Sequence, residues 1–160
     1  MKIIFLSFFL FILPIYLYAQ NFSIKEMETI VKLDVDKLDT FVTKKGYEFV
    51  KSEKGSFSNY LIYGFDEKDR NKYEHYISRD EFNLNERIMI SFQTYKQEYY
   101  LNIKNDIEFR GYKFLNEETD ENGAHFLNYS QKEFSLTLTS HKQKNDSQTF
   151  TSYEISIETN

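Results

Sequence analysis

The chain has 160 residues, a formal net charge of −5 and no cysteine. This length suits one domain with a sizeable core, and the lack of cysteine excludes disulfides and lipid attachment through an N-terminal cysteine. The acidic balance argues against nucleic acid as a partner, because proteins that bind it present clusters of basic residues. Many tyrosines and phenylalanines, together with a single proline, favour β-strands.

The first 19 residues have the three-part pattern of a secretory signal peptide. Lys2 provides a short positive segment, residues 3–13 form an apolar run, and Ala19 supplies a small residue at the expected cleavage point. The alternative is an uncleaved N-terminal anchor, because the apolar segment is at the lower limit of length for crossing a bilayer. We expect cleavage after Ala19, a mature domain of residues 20–160, and a periplasmic or secreted location. Membrane contact is expected only through the signal peptide before it is cleaved.

A short segment occurs twice in the mature chain. The sequence GYEFVKSE at 46–53 recurs as GYKFLNEE at 111–118, an offset of 65 residues. Gly46 and Gly111 stand where a left-handed helix cap favours glycine, so a helix is expected to end just before each of them. Upstream of each glycine, apolar residues at i, i+3 and i+7 form the buried stripe of an amphipathic helix: Val35, Leu38 and Val42, then Tyr100, Ile103 and Ile107.

The segments downstream of each glycine alternate between apolar and polar residues. Phe134, Leu136 and Leu138, for example, alternate with serine and threonine. Such alternation is typical of antiparallel strands with one buried and one solvated face. We therefore predict an α+β fold in which two tandem helix-plus-four-strand repeats, at about 27–95 and 96–160, form an antiparallel sheet with helices on one face. The other face would be broad and rich in hydroxyl groups.

This order of elements resembles the tandem-repeat β-lactamase inhibitor proteins and related exported bacterial proteins. The resemblance covers the whole mature chain as an order of helices and strands, without a shared binding motif. It implies two repeats joined into one long sheet, with another protein bound on the open face. The inhibitors carry disulfides, whereas this chain has no cysteine.

No residue pattern in the chain indicates catalysis, a cofactor or a metal. There is no Gly-x-Ser-x-Gly motif for a nucleophilic serine, and the five glycines are too scattered for a phosphate-binding loop. His75, His125 and His141 are far apart in sequence, which is atypical of a zinc site. The acidic segment 117–123 lacks the distant glutamate of a calcium loop, so we interpret it as a hairpin turn. We predict no catalytic, metal-binding or cofactor-binding residues.

Tyrosines supply the remaining functional hint, because they are enriched where proteins contact each other. Tyr60, Tyr76 and Tyr95 are the candidates for the open face and for binding a partner. We expect a non-catalytic exported binding or inhibitor-like module whose partner is another envelope or secreted protein. The alternatives are a small-molecule or lipid carrier of the cell envelope, with its ligand between helices and sheet, and a hydrolase with an unrecognised site.

Overall fold

The structure is a computed structural model that describes residues 21–65, 73–144 and 149–160. The predicted signal peptide, residues 1–19, lies outside the described residues. No helix in the described part of the chain is long and apolar enough to span a bilayer. In chain order the elements are α1 (Ile24–Ile30), α2 (Val35–Lys44), β1 (Glu48–Lys54), β2 (Ser58–Phe65), β3 (His75–Phe82), β4 (Arg87–Thr94), α3 (Gln97–Phe109), β5 (Lys113–Thr119), β6 (His125–Gln131), β7 (Phe134–Lys144) and β8 (Thr149–Thr159).

All eight strands belong to one antiparallel sheet with the order β1-β2-β3-β4-β8-β7-β6-β5. The pairing of β4 with β8 lies at its centre, so the last strand joins the two halves of the chain. β1 and β5 form the two edges, and every residue of both strands is exposed. Each edge strand carries an irregularity near its start, between Phe49 and Lys51 in β1 and between Phe114 and Asn116 in β5. Such bulges hinder edge-to-edge pairing with another chain.

The three helices pack on one face of the sheet. The core between them contains apolar residues of α1, such as Met27 and Ile30, together with inward residues of the strands, such as Ile90 and Ile155. Phe22, just before α1, contacts Phe92 of β4 with 5.7 Å between ring centroids. Burial of these side chains is the main force that holds the helices on the sheet.

The prediction of two helix-plus-four-strand repeats is wrong. The fold is largely β, a single eight-stranded sheet with three short helices. One reason is that α1 covers both halves of the sheet, since Phe22 at its start contacts Phe92 while Glu28 accepts a hydrogen bond from Tyr112. Lys32, just after α1, pairs with Glu133 in the second half. The core is therefore shared, and neither half buries its apolar residues alone.

The local signals for the helices agree with the structure at several points. Gly46 and Gly111 follow α2 and α3 with φ angles of +87° and +76°, which confirms the predicted left-handed caps. Leu38 and Val42 are buried, as the helical stripe predicted, whereas Val35 is exposed. The helix α1 was not predicted, although its capping box is visible in the sequence: Ser23 and Glu26 exchange backbone and side-chain hydrogen bonds.

The buried phenol of Tyr63 leads to a prediction for alkaline pH. Burial and the nearby carboxylate of Asp39 raise the pKa of Tyr63 from 10.0 to about 12. Because the pKa in the folded state exceeds that of the unfolded chain, stability is retained below pH 10 and lost as the pH rises toward 12. We expect tyrosinate absorbance and loss of circular dichroism to rise together in this window. The variant Tyr63→Phe should unfold at higher pH, and an unchanged midpoint would contradict this assignment.

Candidate functional site: the open face of the sheet

The face of the sheet opposite the helices is the candidate site, and we call it the open face. No described helix covers it. Strand alternation places on it the residues that do not enter the core, and the pairing register aligns them into rows across the strands. On the central strands these residues are Tyr60, Ile62, Tyr76, Ser78, Asp80, Met89, Ser91, Gln93, Glu154, Ser156 and Glu158.

A row of small polar side chains crosses six strands of the open face. Successive cross-strand partners place Ser78 beside Ser91, Ser91 beside Ser156, and Ser156 beside Thr137. The row continues through Asn128 to Asn116. The Ser91 and Ser156 hydroxyl oxygens lie 2.8 Å apart, and the Thr137 hydroxyl donates to Asn128 at 2.9 Å. We call this set the polar row. These two hydrogen bonds orient four of the six side chains of the row.

Beside the polar row lies a second row made of aromatic rings. Tyr73 lies over Gly64 of β2, where a Cβ atom would come within 2.4 Å of the tyrosine ring. The ring centroids of Tyr73 and Tyr76 are 5.7 Å apart, edge to face, and those of Tyr95 and Phe150 are 5.5 Å apart. Burial and the neighbouring phenols of Tyr95 and Tyr73 raise the pKa of Tyr76. We call Tyr73, Tyr76, Tyr95 and Phe150 the aromatic row. Their rings lie across β2, β3, β4 and β8.

A shallow depression of about 250 Å³ lies beside the aromatic row. Its lining includes the apolar or aromatic residues Val50, Ile62 and Tyr76, the serines Ser78 and Ser91, and the charged residues Lys51 and Glu154. It is open to solvent along one side. Its volume suits a single large side chain of a binding partner better than an enclosed small ligand.

The charges on the open face are unevenly compensated. Lys51 pairs with Glu53 at 3.0 Å and donates to the Tyr60 hydroxyl at 3.1 Å. Arg87 pairs with Glu158. Within the described residues no cation pairs with Asp80 or Glu154. Burial and the negative charge of Glu154 raise the pKa of Asp80, so a positive group brought near these carboxylates would be favourable.

The structure places the three predicted tyrosines at different points. Tyr76 and Tyr95 come together in the aromatic row. Tyr60 lies toward the other end of β2, where its ring is 5.2 Å from the Lys51 ammonium group. All three lie on the open face by strand alternation, Tyr95 as the residue that follows β4.

Sequence analysis missed Tyr73, Phe150 and Gly64. Extending the alternation of β8 by two steps from Glu154 would have identified Phe150. Tyr73 precedes β3 and belongs to no alternating pattern, so only the folded chain shows that its ring lies on Gly64.

The three histidines do not form a common site. His75 is buried on the helix face between the rings of Phe65 and Phe92. His125 contacts Glu117 at 2.6 Å near the β5 edge, and His141 pairs with Ser152 across β7 and β8. In residues 21–65, 73–144 and 149–160 no three His, Asp or Glu side chains are grouped so as to hold a metal ion.

The acidic segment 117–123 forms the end of β5 and the turn that follows it. Asp120 accepts hydrogen bonds from the backbone N–H groups of Asn122 and Ala124, and Gly123 has a φ of +79°. The Asp120 carboxylate is thus engaged in stabilising the hairpin turn itself.

A larger groove of about 740 Å³ lies on the helix side, between the start of α1 and α3. Two of the three cationic side chains that line it are paired within the protein: Lys45 contacts Glu26 at 2.9 Å, and Arg110 contacts Asp106 at 3.1 Å. This groove is the place where a carried small molecule would fit.

No protein-family model matches the chain, and no curated protein or solved structure shows significant similarity to it. The resemblance to the tandem-repeat inhibitors therefore stays a prediction.

Proposed function

We propose that the mature chain is an exported, non-catalytic module that binds another protein through the open face. The observation that carries this proposal is the combination of the aromatic row with the polar row on one uncovered face. Tyrosine, serine and asparagine are among the residue types in which antibody binding sites are enriched. Tyrosine offers a large rigid contact area with a polar tip, and small polar residues supply adaptable hydrogen bonds.

The shape of the face supports a protein partner over a carried small molecule. The polar row extends across six strands and the aromatic row across four, whereas the depression beside the aromatic row holds only about 250 Å³. A broad surface with one shallow depression fits the flat contact areas of protein interfaces, which centre on a few anchoring side chains.

The proposal is tested by site-specific photo-cross-linking in the envelope of the producing cell. A photoreactive amino acid replaces Tyr76 or Tyr95 in separate variants and, as a matched control, Phe109. Phe109 is 91% exposed at the end of α3 on the helix side. We expect one and the same partner to be captured from positions 76 and 95 and not from position 109.

The captured protein must then bind the purified mature domain. We expect Tyr76→Ala and Tyr95→Ala to weaken this binding by about 10-fold or more, as anchoring aromatics do, with Phe109→Ser unchanged. Equal capture of the partner from position 109 would overturn the proposal. An affinity that neither tyrosine substitution changes would overturn it as well.

The carrier hypothesis has the helix-side groove in its favour. Native mass spectrometry of the protein purified from its producing cell is expected to show the bare mass if the open face is the binding surface. A stoichiometric small-molecule adduct that is lost in Tyr99→Ala, a residue lining the groove, would favour the carrier instead.

A further inference from the structure

If the proposed function holds, the geometry of the open face limits which conformation and which charge the binding segment of the partner can have. The aromatic row crosses β2, β3, β4 and β8, which are consecutive neighbours in the sheet. Because neighbouring strands are about 4.8 Å apart, the row extends about 14 Å perpendicular to the strands. A segment that covers the whole row must therefore run across the strands.

The backbone of these four strands cannot bind the segment. Each of them has a strand on both sides, so its N–H and C=O groups are used within the sheet. A segment lying across them finds only side chains, and its own backbone groups need partners within the segment. An α-helix satisfies this condition, and about 10 residues of helix cover the distance of about 14 Å that the row extends across the strands.

The charges indicate the polar flank of such a helix. Asp80 lies four residues along β3 from Tyr76, which is about 13 Å and close to the diameter of a helix with its side chains. Glu154 lines the depression together with Tyr76. On the same strands of the open face, two other carboxylates already have cations: Glu53 has Lys51 and Glu158 has Arg87. Lysine or arginine on the partner would complement Asp80 and Glu154.

We propose that the open face binds a basic amphipathic helix of its partner protein. The apolar stripe of the helix lies along the aromatic row, with one large apolar side chain in the depression. Its basic flank faces Asp80 and Glu154. Recognition of an amphipathic helix by its apolar stripe, with anchors at i, i+3, i+4 and i+7, is a recurring mode of peptide binding.

The test uses two synthetic peptides of about 14 residues, patterned as amphipathic helices of leucine and lysine or of leucine and glutamate. Each is titrated into the isotopically labelled mature protein by NMR and into unlabelled protein by calorimetry. We expect the lysine peptide to bind at least about 10-fold more tightly than the glutamate peptide and to shift signals of β2, β3, β4 and β8. Its affinity should fall as salt rises, because exposed charges are screened.

Two substitutions separate the apolar and the ionic contributions. Gly64→Ala forces the Tyr73 ring away from its position. It should lower the affinity for the lysine peptide without removing any aromatic residue. Asp80→Asn combined with Glu154→Gln should remove most of the preference for lysine over glutamate. Since burial disfavours the charged form of Asp80, these neutral replacements are expected to leave the folded state at least as stable. Phe109→Ser is the control and should change nothing.

Equal affinity for both peptides, shifts confined to the helix side, or no binding by the lysine peptide at millimolar concentration would overturn the inference. A partner cross-linked at position 76 through an extended strand or loop would also overturn it, while the proposed function would stand. Cross-links that localise to the helix side would instead overturn the proposed function itself.

Discussion

Phe92→Ala is expected to lower the free energy of unfolding by about 4 kcal/mol, the usual cost of removing a buried phenylalanine ring. Phe92 lies on β4 beside the central pairing with β8 and is completely buried. The centroid of its ring lies 5.7 Å from that of Phe22 and 5.8 Å from that of His75. Loss of the ring therefore opens a cavity between the start of α1 and the sheet. Because domains of this size have only about 5–15 kcal/mol of stability, the loss is large.

The measurement for Phe92 is equilibrium denaturation followed by circular dichroism. Gln93→Ala is the matched control, since Gln93 is the next residue on β4 and points to the open face. Its effect should stay within about 0.5 kcal/mol, as for most surface substitutions. Similar losses in the two variants would show that the core is not arranged around Phe92 as described.

The second large effect is expected at the glycine that ends α2. Gly46 has a φ of +87°, and its successor Tyr47 donates its N–H to the Val42 carbonyl, as in a Schellman cap. A Cβ atom at Gly46 would lie 3.2 Å from the ring of Phe65. We expect Gly46→Ala to cost about 2–3 kcal/mol, combining the left-handed conformation with displacement of a core ring.

Gly111 provides the matched comparison for Gly46. It ends α3 with a φ of +76°, but among the described residues no side chain or distant backbone atom lies within 4 Å of the position that a Cβ would take. Gly111→Ala should therefore cost only about 1–2 kcal/mol, the conformational part alone. Gly111→Asn should cost less than Gly111→Ala, because asparagine tolerates the left-handed region. Thermal or urea denaturation of the three variants measures the difference, and equal losses at both glycines would contradict the role given to Phe65.

Several features of the site followed from the sequence. The alternation along β4 and β8 was enough to assign Ser91 and Ser156 to a solvated face. Such alternation is a local property, since successive side chains of a strand point to opposite faces. The glycine caps were equally local, because a left-handed residue after a helix is favoured by the chemistry of glycine at that single position.

The arrangement of the aromatic row could not be predicted in this way. Tyr73 reaches the open face only because β2 and β3 pair in a register that brings Gly64 beneath its ring. Asp80 and Glu154 influence each other across β4, although 74 positions separate them in sequence. Contacts of this kind depend on which strands become neighbours, and strand order has no signature within a single strand.

The caps of α2 and α3, most of the buried stripe of these two helices and the solvated face of the strands followed from the sequence, because these features depend on periodicity and on single residues. The folded chain was needed to show that the two halves join through the pairing of β4 with β8, and that α1 covers both halves. This arrangement arises because the apolar residues of each half remain partly uncovered until the other half and α1 pack against them. The shared core therefore selects one continuous sheet over two separate units.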